Sequence, residues 1–155
     1  MRKFILFFLT LLMLLPSCTK IRDDIPIQLL AQSVGEEIKG FENMAQASRD
    51  YLEYCMGDLE PFEEYIVLYP FAGTEYNEIG IFKIRADANK EDAQASLQNY
   101  LTFKRKNWDT RYKDDEFAKI ENASITSCGR YILYAILDEA ERIAVSKRFR
   151  AEIKK

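Results

Sequence analysis

The stretch "EEYIVLYPFAGTEYNEIGIFKIR", residues 63–85, decides the fold class of this chain. Side chains alternate between two faces from residue 65 to residue 69, which predicts a β-strand that ends at Pro70. The segment 71–74 is typical of a turn, and residues 79–85 predict a second strand. We therefore expect an antiparallel hairpin here.

A second hairpin is predicted further along the chain, with a long helix between the two. The segment 124–137 alternates on both sides of a turn at Gly129. Asn89, followed three residues later by Asp92, resembles a capping box and indicates a helix that runs to about Trp108.

Three further helices are indicated by apolar spacing and end signals. Asp24 and Pro26 predict a helix start, and Gly40 is a plausible stop for that helix. Segments 44–56 and 138–153 show helical spacing as well. Their inward faces are expected to contain Met44, Ala47, Tyr51, Leu52, Cys55, Ile143, Ala144 and Phe149.

Together these elements predict one α+β domain over residues 26–155. It would have two N-terminal helices, two antiparallel hairpins in one small sheet, a long helix between the hairpins and a C-terminal helix. The chain has 155 residues, of which 48% are apolar, and this is enough for one hydrophobic core.

Charge and composition exclude several classes of function. The formal net charge is −3, which makes the chain a poor nucleic-acid binder because phosphate binding depends on a basic surface. The sequence contains no histidine. Ser-His and Cys-His nucleophiles, histidine-ligated metals and a histidine pH switch are therefore excluded.

The N-terminus has the organisation of a secretory signal peptide over residues 1–17. Arg2 and Lys3 precede a run from residue 4 to residue 15 that is apolar except for Thr10. A membrane-spanning helix needs about 20 apolar residues, so this run is too short to cross. Its length and charged start favour a cleaved signal peptide, with a buried N-terminal helix as the alternative.

The end of this segment resembles the lipobox of bacterial lipoproteins. The matching residues are Leu15, Ser17 and Cys18, while Pro16 departs from the usual pattern. The resemblance implies that Cys18 carries a diacylglyceryl thioether and becomes the mature N-terminus. Residues 18–25 would then form a short tether to the extracytoplasmic face of a bacterial membrane, reached through the N-terminal acyl chains.

Four motifs resemble a family of small bacterial lipoproteins built on a domain of unknown function, numbered 4358. They are "EEYIVLYPF" at 63–71, "NEIGIFKIR" at 77–85, "KRKNWDTRYKDDEF" at 104–117 and "GRYILYAI" at 129–136. One departure is that Tyr112 is followed by Lys-Asp where the family usually has Leu-Pro. The resemblance implies a lipid-anchored extracytoplasmic domain, and it brings no activity and no catalytic residues.

The two cysteines that remain after Cys18 are a candidate disulfide. In an oxidising compartment Cys55 and Cys128 would close a loop of 73 residues (128 minus 55). Such a bond stabilises a fold by about 4 kcal/mol in the chain-entropy model. The alternative is two free, buried thiols.

Acidic residues around the first hairpin give a second candidate site. They are Glu60, Glu63, Glu64, Glu75 and Glu78. A carboxylate pair can serve as acid and base without histidine, although a solvated charged rim is the commoner reason for such a cluster. The stretch "DANKED" at 87–92 fails the EF-hand pattern at positions 6 and 12, so helix capping explains it better than a metal site.

Aromatic and basic residues also allow two interpretations each. Tyr65, Tyr69 and Tyr131 are expected in the core first, and together with Phe71 they are alternatively a ligand platform. Basic residues at 104–106 and in the C-terminal tail suit helix C-termini, where cations complement the helix dipole. Their alternative role is contact with anionic lipid headgroups.

These observations favour a membrane-anchored extracytoplasmic lipoprotein that acts as a binding or accessory module of the cell envelope. The partners expected are the membrane and an envelope protein, with no cofactor, no metal and no nucleic acid. A histidine-free carboxylate hydrolase and a purely structural envelope lipoprotein are the alternatives.

Overall fold

A computed structural model of the protein describes residues 20–72, 75–109 and 114–154. The predicted signal peptide at 1–17 and the proposed lipid attachment at Cys18 lie outside these residues. Within them, no helix is both long enough and apolar enough to cross a membrane.

Five strands form one antiparallel sheet. They are β1 (Met44–Gln46), β2 (Phe62–Pro70), β3 (Glu78–Ile84), β4 (Ser124–Cys128) and β5 (Tyr131–Ile136). Their order across the sheet is β1-β2-β3-β5-β4. Strands β2 and β3 form the first predicted hairpin and β4 and β5 the second, which confirms both, and β3 joins the hairpins by pairing with β5.

Five α-helices accompany the sheet in the described residues. They are α1 (Ile27–Gly35), α2 (Arg49–Met56), α3 (Lys90–Lys106), α4 (Phe117–Glu121) and α5 (Glu139–Ile153). Short 3-10 turns cover Phe41–Asn43 and Asp114–Glu116. The fold is thus mixed α/β around an antiparallel sheet.

Helices cover both faces of the sheet, so the core has two layers. Successive side chains of a strand point to opposite faces. In β5, Tyr131, Leu133 and Ala135 belong to one apolar cluster, and the other three residues belong to a second. Helices α1 and α5 complete the first cluster, whereas α2, α3 and α4 complete the second. Because both faces are covered, every residue of β3 is buried.

The predicted second helix, 44–56, is wrong in its first third. Residues 44–46 form the edge strand β1, which pairs with the end of β2. Helix α2 begins only after Ser48, whose hydroxyl accepts a hydrogen bond from the backbone N–H of Tyr51 at 3.3 Å. Tyr51 is 40% exposed, whereas Leu52 beside it is buried as expected.

The long helix α3 agrees with expectation over most of its length, whereas α1 ends at Gly35 and not at the predicted stop, Gly40. The Asn89 side chain accepts hydrogen bonds from the backbone N–H groups of Glu91 and Asp92, which confirms the cap of α3. Helix α1 follows Pro26 without a side-chain cap, since Asp24 pairs with Arg22 instead.

The inward face of α5 differs from the expected one. Ile143 is 61% exposed, and the buried residues of this helix are Val145, Phe149 and Ile153. Only Phe149 was expected among them. The inward stripe follows the spacing i, i+4, i+8 from Val145, so Ile143 falls outside it.

Candidate functional site: an aromatic cleft over a buried ion pair

A cleft of about 460 Å³ opens on the side of the sheet that α2 and α3 cover. Its walls contain five aromatic rings, which are Tyr51, Tyr69, Tyr76, Phe103 and Trp108. Gln46, Ser48, Asn107 and Asp109 add polar groups. This volume and this mixture of aromatic and polar groups are typical of small-molecule sites in proteins.

Glu78 lies at the base of the cleft and is 1% exposed. Its Oε1 atom accepts hydrogen bonds from the hydroxyls of Tyr100 at 2.6 Å and Tyr134 at 2.8 Å. Its Oε2 atom accepts one from Tyr76 at 2.8 Å and lies 2.8 Å from the Nζ atom of Lys104. Both carboxylate oxygens are therefore engaged, as a buried charge requires.

Lys104 balances the Glu78 charge and is enclosed by aromatic rings. Its Nζ atom donates to the Tyr51 hydroxyl at 2.9 Å and lies 5.3 to 5.4 Å from the ring centres of Tyr51, Tyr76 and Tyr100. Burial is the largest single effect and would lower the pKa of Lys104, but attraction to Glu78 and Tyr51 and the hydrogen bonds to both together outweigh it, and the pKa is raised. Lys104 is therefore a cation at neutral pH.

Tyr100 and Tyr134 stay protonated and donate to Glu78. Burial is the main cause that raises the pKa values of Tyr100 and Tyr134 far above the ordinary value. The Glu78 charge raises both of them further. The base of the cleft is thus a fixed arrangement of one anion, one cation and hydroxyl donors.

The local sequence explains how this arrangement is built. The buried face of α3 contains Ala93, Leu97, Tyr100 and Leu101, and Lys104 follows Tyr100 by four residues on that face. On the sheet, Gly80 pairs with Tyr134, and a Cβ atom at position 80 would overlap the Tyr134 ring. Glycine therefore lets the ring cross β3 toward Glu78.

Sequence reasoning missed Lys104 as a site residue, since residues 104–106 suit a helix C-terminus or a contact with lipid headgroups. Its spacing from Tyr100 was the available signal. Glu78 is among the five acidic residues predicted as a candidate site. Its partners Tyr100 and Tyr134 lie at distant positions in the sequence, so no local pattern indicates them.

Of the five predicted carboxylates, only Glu78 lines the cleft. Glu63 and Glu64 pair with Lys83 at 3.0 and 3.4 Å, and Glu63 also pairs with Arg130 at 2.7 Å. Hydrogen bonds from Arg130 and then Lys83 lower the pKa of Glu63. A general acid needs a raised pKa, so Glu63 has the opposite character.

The two candidate disulfide cysteines are free and buried in different clusters. Cys55 belongs to the cluster under α2 and α3, and Cys128 to the cluster under α1 and α5. The sheet lies between these clusters. Burial raises the pKa of the Cys55 thiol, which makes it a poor nucleophile at neutral pH.

The remaining candidates divide between core and surface. Tyr131 is buried, donating to the carbonyl of Ile25 and accepting from its N–H, each at 2.9 Å. Tyr65 is half-buried, Tyr69 lines the cleft and Phe71 is 81% exposed. Over the described part of the chain, no group of three or more Cys, Asp or Glu residues is placed to hold a metal ion.

Comparison with known proteins identifies one family. The model of a domain of unknown function, DUF4358, matches residues 40–137. This range contains all five strands and the lining of the cleft, and it leaves α1 and α5 outside. No match was found among curated proteins or among solved structures. The chain belongs to the DUF4358 family of domains of unknown function.

Proposed function

We propose that this protein is a lipid-anchored binding module at the extracytoplasmic face of a bacterial membrane, and that the aromatic cleft is its binding site. The observation that carries the proposal is the aromatic-walled cavity of about 460 Å³ over a base whose polar groups are satisfied. Such a base is rigid before a ligand arrives, and rigidity lowers the entropic cost of binding.

The chemistry of the cleft favours binding over hydrolysis. A catalytic carboxylate must be free to exchange a proton with substrate, whereas both oxygens of Glu78 accept hydrogen bonds from buried tyrosines. Glu78 and Lys104 also neutralise each other. The ligand class that fits is an uncharged molecule with a flat ring, which packs on the aromatic walls and bonds to Gln46, Ser48 or Asn107.

The anchor part of the proposal is supported by the sequence of the N-terminus. The charged start, the short apolar run and the lipobox-like ending at Cys18 are the features on which it depends. Two or more acyl chains on Cys18 would hold the domain stably, where one chain would be marginal.

Trp108 offers a direct test of the cleft, because it is the only tryptophan in the chain and lines the cavity. The probe is N-phenyl-1-naphthylamine, an uncharged aromatic dye whose absorption overlaps tryptophan emission. Titration is expected to quench Trp108 emission with saturation. Tyr69→Ala removes a wall and is expected to weaken dye binding at least tenfold, about 1.4 kcal/mol.

Phe71→Ala is the matched control, since it removes an aromatic ring two residues away that does not line the cleft. It is expected to leave the affinity unchanged. Equal effects of the two substitutions, or the absence of saturable quenching, would contradict a binding site in the cleft.

The anchor is tested by the intact mass of protein taken from a membrane fraction, beside a Cys18→Ser variant. The expected mass begins at Cys18 and includes acyl chains, and the variant lacks both. A chain that retains Met1 without acylation would contradict the anchor and leave the cleft proposal unaffected.

A further inference from the structure

The outward face of α5 is a basic stripe next to the point where the N-terminal segment joins the fold. This basic stripe consists of Lys147, Arg150 and Lys154, all exposed and spaced along one side of the helix. Among the described residues, none of the three side chains forms an ion pair. Three cations therefore face solvent together.

Acidic residues of the same helix point elsewhere. Glu141 accepts a hydrogen bond from the backbone N–H of Lys39, and Glu152 pairs with Arg148 at 3.3 Å and accepts from Ser33 at 3.0 Å. These contacts turn the two acids toward α1 and the segment that follows it. Glu139 lies at the opposite end of the helix, so no acid interrupts the basic stripe.

Helix capping accounts for only part of the basic stripe. The favourable effect of the helix dipole on cations falls off within the last turn. Arg150 and Lys154 lie in or just after that turn, whereas Lys147 is six residues before the end of the helix at Ile153. A surface role for the stripe as a whole explains all three positions.

The N-terminal segment is fixed at the same end of α5. The backbone N–H of Arg22 donates to the carbonyl of Ile153 at 2.9 Å, and the Ile21 side chain reaches the turn at Gly129. Cys18 is four residues before Arg22, so the chain between them spans at most about 14 Å, and Arg22 is bonded to the last turn of α5. This reach is shorter than the eight residues from Cys18 to Pro26 suggest.

We infer that the basic stripe of α5 rests on the membrane and binds anionic lipid headgroups. This inference depends on the proposed anchor at Cys18. An anchor within about 14 Å of Arg22 leaves the domain few orientations, and the basic stripe reaches the last turn of α5, to which Arg22 is hydrogen-bonded. Each basic residue held at an anionic surface favours contact by about fivefold.

The test uses the full, acylated chain in vesicles and a dye that reports headgroup contact. Ala151→Cys places a nitrobenzoxadiazole label between Arg150 and Lys154, and Ala95→Cys places it on α3, in the opposite helical layer. The vesicles contain either 30% phosphatidylglycerol in phosphatidylcholine or phosphatidylcholine alone, each with a headgroup-linked spin quencher.

The label at position 151 is expected to be quenched at least threefold more than the label at position 95 in the anionic vesicles, with the difference lost at high salt. The double substitution Arg150→Gln with Lys154→Gln should abolish this difference in quenching. The matched double substitution on α3, Lys90→Gln with Lys106→Gln, should leave the difference unchanged. Urea unfolding of both pairs checks that the fold is intact.

Two results would overturn the inference, and they are distinguishable. If the chain floats with the vesicles but both labels are quenched equally, the anchor stands and the basic stripe does not face the membrane. If the chain does not float with the vesicles, the anchor itself fails, and the orientation inferred from it fails as well.

Discussion

At the scale of single residues, the buried pair of Glu78 and Lys104 is the most demanding feature of this protein. Taking two charges out of water is costly, and the cost is offset here by their mutual attraction and by three tyrosine hydroxyls on the carboxylate. Neither charge is satisfied without the other. The pair therefore acts as a unit that fixes β3 against α3.

Glu78→Gln is expected to destabilise the protein by about 3 to 5 kcal/mol, because it leaves the Lys104 cation buried without an anion. Urea unfolding followed by Trp108 fluorescence measures the loss. Glu75→Gln, at an exposed carboxylate, is the control and should change stability by less than about 0.5 kcal/mol.

A second variant separates charge from packing. Adding Lys104→Met to Glu78→Gln removes the unpaired cation and should recover part of the lost stability. If Glu78→Gln costs no more than Glu75→Gln, the pair is not the buried unit described here.

At the scale of elements, the central pair of strands β3 and β5 depends on one small residue. Gly80 lies opposite Tyr134, and the space that a Cβ atom would take is filled by the tyrosine ring. Tyr134 in turn bonds to Glu78 two residues before Gly80. The close contact between β3 and β5 is therefore coupled to the geometry at the base of the cleft.

Gly80→Ala is expected to cost about 1 to 3 kcal/mol through overpacking against Tyr134. Thermal unfolding of a double-mutant cycle with Tyr134→Leu provides the measurement. Alanine at position 80 should cost clearly less when the ring is absent. An equal cost in both backgrounds would show that the ring is not the cause.

The same elements show what the sequence could predict and why. Strands β2, β3 and β5 were predictable because each is a short run rich in β-branched and aromatic residues that is bounded by turn residues. The three residues of β1 are too few to show a period, and only their pairing with the end of β2 makes them a strand.

The candidate site was less predictable than the sheet. Glu78 and Lys104 are 26 positions apart (104 minus 78), and Tyr134 is 30 positions beyond Lys104 (134 minus 104). Contacts over such separations arise from the strand order and helix packing rather than from local pattern. In the sequence, Lys104 therefore looks like one of three basic residues at a helix end, although the fold buries it.

At the scale of the whole molecule, several buried groups respond to alkali in the same direction. Burial raises the pKa values of Tyr51, Tyr100 and Tyr134, and attraction to Glu78 raises that of Lys104. In the unfolded chain tyrosine loses its proton near pH 10. The folded state then binds more protons than the unfolded state, so stability falls as pH rises.

The urea midpoint is therefore expected to be steady up to about pH 9 and to fall steeply above about pH 10. Absorbance at 295 nm should show the buried tyrosines ionising only as the protein unfolds. Tyr100→Phe should give a shallower fall, because it removes one of the contributing groups. A midpoint that does not change between pH 9 and pH 11 would contradict this linkage.

The hydrogen bond between Arg22 and Ile153 has a consequence for the order of folding. It joins the two ends of the described chain, and the helices beside those ends, α1 and α5, cover the same face of the sheet. During synthesis from the N-terminus, all five strands can pair while that face is covered by α1 alone. Helix α5 follows all five strands in the chain, so this face of the sheet is closed only once α5 is available.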